Sequence, residues 1–177
     1  MPFLRPLAGI ILLAGLLPAS AMAQEVYAGV YAHGVDTPFT FDTNEGGTDL
    51  QAGVRFGEIG ALGGMQPYVF GSANLSGDTS FVGAGVNWKA ELGKLYLRPG
   101  VGLVMHDAPD RRVDPATGIR TDLGSRILFE PEIALGYEVS DRFSVEASWV
   151  HISNARLFNS EQNPGIDMMG ARVNLKL

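Results

Sequence analysis

Three side chains near the C-terminus, His151, Ser153 and Asp167, are of the types that together could do covalent chemistry. A base, a hydroxyl and a carboxylate can activate a serine for acyl transfer. The imidazole takes the hydroxyl proton, and the carboxylate holds the imidazole and stabilises its charged form. Ile152 separates His151 from Ser153, and residues two apart on an extended strand share a face. The chain reads His151-Ile152-Ser153-Asn154 and then, after a polar loop, Asn163-Pro164-Gly165-Ile166-Asp167. If residues 155–164 form a hairpin connection, the returning strand brings Asp167 alongside the outgoing one. The backbone N–H of Asn154 and the side chains of Asn154 and Asn163 are candidate donors to a tetrahedral oxyanion. Each signal is weak alone, since His-x-Ser is common and Asn-Pro-Gly usually marks a turn. Their combination favours chemistry.

The N-terminus sets the compartment. Residues 1–23 carry one base, Arg5, then an apolar run, and end in Ala21-Met22-Ala23, the pattern of a signal peptide cleaved before Gln24. The apolar run is short for a spanning helix, which needs roughly 20 residues. Its removal from the 177-residue chain leaves a single-domain length of 154 residues, 24–177, with a net charge near −7 because the leader takes away Arg5 and no acid. So acidic a chain excludes nucleic acid as a natural partner. With no Cys there is neither a disulfide framework nor a thiolate metal site.

The rest of the chain must supply the strands that position the three side chains. It contains period-two segments divided by turn residues and no convincing amphipathic helix, an all-β signature. Eight strands are predicted, at 25–33, 48–56, 66–75, 80–89, 94–104, 126–138, 142–153 and 166–177. An even count suits an eight-stranded antiparallel up-and-down transmembrane β-barrel.

Face segregation points to the membrane. Ile127, Phe129, Pro131, Ile133, Leu135 and Tyr137 share one face of their strand, while Glu130 and Glu132 take the other. By the same parity Asp49, Arg55, Arg98, Glu146, Arg172 and Lys176 join the face opposite the aliphatic residues. A soluble barrel needs apolar side chains inside. Charges of both signs interleaved with Gly instead suit a polar interior behind an apolar outer band. Tyr27, Tyr31, Tyr68 and Phe70 fit either face and are candidates for an interfacial aromatic girdle. The longer connections, 34–47, 105–125 and 154–165, are expected outside the cell, with short turns at 90–93 and 139–141 on the periplasmic side. His151 and Ser153 then share the outward parity of Trp149, and Asp167 that of Met169. The set is expected on the lipid-facing wall near the external rim, where polar groups carry a functional reading.

The segments His151-Ile152-Ser153-Asn154-Ala155 and Asn163-Pro164-Gly165-Ile166-Asp167 closely resemble the signature of the lipid A 3-O-deacylase (PagL) family, outer-membrane esterases with eight-stranded barrels. The resemblance implies hydrolysis of the ester-linked acyl chain at the 3-position of lipid A in the external leaflet, without a metal or other cofactor. It makes His151 the base, Ser153 the nucleophile and Asn163 the Asn of the family's Asn-x-Gly loop. Asp167 falls where well-known members have Glu. The implied partners are lipopolysaccharide as substrate and the surrounding outer-membrane lipid, with a second copy of the chain as a candidate in a homodimer. Two other classes fit the alternation: a non-catalytic structural or adhesive barrel, and a soluble periplasmic lipid-binding barrel.

Overall fold

The protein is described by a computed structural model covering residues 22–38, 45–109, 112–113, 120–121, 123–157 and 164–177. The expected leader lies outside these residues as far as position 21. Eight long strands form the wall: β1 (Ala23–His33), β2 (Thr48–Phe56), β3 (Gln66–Asn74), β4 (Phe81–Asn87), β6 (Leu95–His106), β9 (Ile127–Glu138), β10 (Phe143–Ile152) and β11 (Ile166–Lys176). Three short pieces complete the set. β5 (Ala90–Leu92) pairs with the start of β6, while β7 (Arg112–Val113) and β8 (Arg120–Thr121) pair antiparallel within the 105–125 connection. Neighbouring wall strands run antiparallel, β1 pairs with β11, and β4 pairs with β6, so the sheet closes into an eight-stranded barrel.

Alternation sets which residues face out. Along β9 the odd positions Ile133, Leu135 and Tyr137 are exposed, while Leu128, Glu130, Glu132 and Ala134 are buried. Val30, Leu50, Val69, Val82, Leu97, Val101, Leu103, Val145, Met169 and Val173 extend the exposed aliphatic band around the wall. A closed barrel leaves no strand edge unpaired, which is what hydrocarbon demands of a spanning sheet. The expected soluble alternative fails here, because the apolar side chains are on the outside.

The interior is a packed ionic lattice. Glu146 is its hub: Arg55 Nη2 donates to Oε2 at 3.1 Å, Arg98 Nε to Oε1 at 3.0 Å, and Arg172 Nε also donates to Oε2. Arg172 reaches Glu132 through two N–H groups, each at 2.7 Å. Such charges are tolerated away from water only when paired and bonded. Lys176 sits at the rim of this lattice, 3.3 Å from Glu138.

The structure decides between the two faces left open for the aromatics. Tyr27, Tyr31, Tyr68 and Phe70 are all buried inside. The reason is cross-strand pairing with glycine: Tyr27 lies opposite Gly53, Tyr31 opposite Gly170, Tyr68 opposite Gly85, and Phe70 opposite Gly83. Tyr96 repeats the pattern against Gly136, where an added Cβ would lie 2.0 Å from the ring. Each ring thus occupies space that only a missing side chain leaves free.

Candidate active site

β10 and β11 place the three expected residues at one end of the barrel. Their register sets His151 directly opposite Asp167, one step beyond Val150–Met168. His151 Nδ1 lies 2.8 Å from Asp167 Oδ1. The carboxylate is fully buried, whereas the imidazole retains 15% side-chain exposure. With Nδ1 committed to the carboxylate, Nε2 is the nitrogen left for a hydroxyl.

Asp167 keeps the outward parity expected of it but is not open to lipid. Trp149 Nε1 donates to Oδ1 at 3.1 Å, and Thr37 Oγ1 donates to Oδ2. Three donors therefore converge on one carboxylate. Sequence reasoning placed Trp149 beside the site only as a marker of the membrane interface. Its shared parity with His151 was the available signal for a contact. Thr37 gave no signal, because it lies in the first long loop, where no period applies.

Ser153 sits just past the end of β10. Its N–H and C=O exchange hydrogen bonds with Phe129 at 3.0 and 2.8 Å, an isolated bridge that continues the β9–β10 register. That register passes through Pro131 opposite His151, where β9 has no N–H to give. Ser153 is buried at 7% exposure, so the end of β10 is covered where simple parity predicts a lipid-facing hydroxyl. Among the described residues no hydrogen bond joins Ser153 Oγ to His151. The His151–Asp167 pair is assembled, and the Ser153–His151 pair is not. Catalytic hydrogen bonds of this type are often long before substrate binds.

Asn154 is completely buried. Its Nδ2 donates to Leu123 O at 3.0 Å, and its Oδ1 accepts the Arg156 N–H at 2.6 Å. Ala155 and Arg156 both have positive φ, 53° and 59°, which costs L-residues of order 1 kcal/mol each. The Asn154 side chain thus braces a strained turn directly after Ser153. Asn163 lies outside the described residues. Pro164 and Gly165, which follow it, are buried at the start of β11.

Comparisons with known proteins bear on the family and the fold. The family model "Lipid A 3-O-deacylase (PagL)" matches residues 27–176. The chain belongs to that family. Among solved structures it is similar to the outer membrane enzyme PagL, at 16% identity and a TM-score of 0.58, covering 86% of this chain and 99% of that one. It is also similar to Neisserial surface protein A, at 12% identity and TM-score 0.54, covering 89% and 99% of the two chains. The N-terminal β-barrel domain of Pseudomonas aeruginosa OprF matches at 9% identity and TM-score 0.51, covering 87% and 100%. No curated protein matches the chain significantly. At these identities the solved structures show the shared barrel fold. Membership of the PagL family makes the chain an outer-membrane hydrolase of the lipid A deacylase class, located in the bacterial outer membrane.

Proposed function

We propose that the protein hydrolyses the 3-O-linked acyl ester of lipid A, with Ser153 as nucleophile, His151 as general base and Asp167 as the group that orients His151. The observation that carries this reading is the 2.8 Å His151–Asp167 pair, held in strand register on the wall two residues before a serine. Ser153 Oγ attacks the ester carbonyl carbon as its proton passes to His151 Nε2. The backbone N–H of Asn154, with the Asn163 side chain as a further candidate, meets the oxyanion; the Asn154 side chain expected to help is instead buried and committed to Leu123 O and the Arg156 N–H. Collapse breaks the bond to the sugar 3-oxygen, which takes the proton from His151 and leaves an acyl group on Ser153. Water, deprotonated by the same imidazole, then releases the fatty acid. Asp167 holds the imidazole in place and lowers the energy of the imidazolium as it forms. No step needs a metal.

In this reading residues 1–23 are an export leader and residues 24–177 the mature barrel. The 3-position is tested by giving the detergent-refolded mature chain two substrates, intact lipid A and lipid A whose primary acyl chains are held only through amides. Tandem mass spectrometry should show loss of one 3-linked chain from the first and none from the second. Loss of a secondary or amide-linked chain would overturn the assignment.

A further inference from the structure

The first external loop reaches across the barrel rim to the carboxylate. β1 ends at His33, and Gly34 has φ +66°, a left-handed kink in which an added Cβ would sit 2.1 Å from Glu45 O. The kink turns the chain toward β11. Val35 N–H then donates to the Asp167 carbonyl at 2.9 Å, and Thr37 Oγ1 donates to Asp167 Oδ2. One loop therefore grips both the backbone and the side chain of a single residue.

The loop's return limb is anchored separately. Glu45 accepts His33 Nε2 at 2.8 Å and Thr79 Oγ1 at 2.6 Å, while His33 Nδ1 lies 3.0 Å from Asp49 Oδ1. These side chains are buried, so the base from which Thr37 projects is fixed to β1, β2 and the loop after β3.

A carboxylate on the shorter Asp side chain has to be aimed from outside, because His151 and Trp149 both address Oδ1 and neither restrains Oδ2. We infer that Thr37 is a positioning residue for the reaction, its hydroxyl fixing Asp167 Oδ2 so that Oδ1 stays aligned with His151. This rests on the proposed role of Asp167 and adds to it a distant loop that completes the site.

The test compares Thr37→Val, which keeps the shape and removes the hydroxyl, with Thr37→Ser, which keeps the hydroxyl. Kinetics on lipid A should show kcat of Thr37→Val reduced about tenfold, or about 1.4 kcal/mol, with KM within about twofold of native. Thr37→Ser should recover most of kcat. Gly34→Ala, which disturbs the kink without touching Thr37, should lower kcat in the same way. An unchanged kcat in Thr37→Val, a change in KM alone, or equal losses in Val and Ser variants would each overturn the inference.

A second measurement does not depend on turnover. In micelles, the His151 Nδ1 proton seen by NMR should exchange with water faster in Thr37→Val than in the native protein, and at the native rate in Thr37→Ser. Equal exchange in all three would overturn the inference. An inactive native chain, or full activity in Asp167→Asn, would instead overturn the proposed function, leaving this resonance to decide whether Thr37 holds the pair.

Discussion

Replacing Asp167 with Asn removes one charge from a site that has been built around it. The fold should survive, because Asn Oδ1 can still accept from His151 and Trp149, and the Thr37 hydroxyl can rotate to accept from the new amide. What is lost is the attraction between a buried carboxylate and the imidazolium that forms as Ser153 is deprotonated. The pair is 2.8 Å apart between nearest atoms, and the carboxylate is fully buried. With charge centres about 4 Å apart and an effective dielectric constant of about 20, the attraction is about 4 kcal/mol. That corresponds to roughly a thousandfold in rate. Because the interaction strengthens only as charge develops, the loss should fall on kcat with KM nearly unchanged. The assay is initial-rate release of fatty acid from lipid A, with heat-modifiable electrophoretic mobility as the check on folding. A folded Asp167→Asn variant within tenfold of native would refute the argument.

Other outcomes follow from the same contacts. Asp167→Glu should lower kcat severalfold, because both oxygens of the carboxylate are bonded where the shorter side chain places them and an added methylene would carry them off those partners; a rise in turnover would show the pocket to be slack. Glu146→Gln removes the hub of three arginines, and breaking a buried ion network of this kind costs about 3–5 kcal/mol. Its heat-modified transition should move to markedly lower temperature while KM holds, and an unchanged transition would mean the lattice is dispensable.

The barrel was legible because two faces of opposite chemistry alternate along each strand, so Glu130 against Ile133 and Arg98 against Leu97 identify the sides without knowledge of the partner strands. Strand ends moved by only a residue or two, as in β6, which runs on to His106. The inward turn of Tyr27, Tyr31, Tyr68 and Phe70 was not legible, because a tyrosine suits both a girdle and a polar lumen. What decides is the glycine across the strand, and cross-strand partners are fixed by register rather than by local pattern. At the site, the period of two correctly aligned His151 with Asp167 across a hairpin. It could not show Asp167 being covered, since Thr37 reaches it from a loop more than a hundred residues earlier in the chain. The bracing of Asn154 against Leu123 likewise depends on loops whose closure no spacing encodes.

The most direct test of the central claim is mass spectrometry of lipid A after incubation with the refolded mature chain, with Ser153→Ala run beside it. Loss of a single 3-linked acyl chain with the native protein and none with the folded Ser153→Ala variant is the expected result. Equal loss with both proteins would contradict Ser153 as the nucleophile, and no loss with either folded barrel would contradict the proposed reaction.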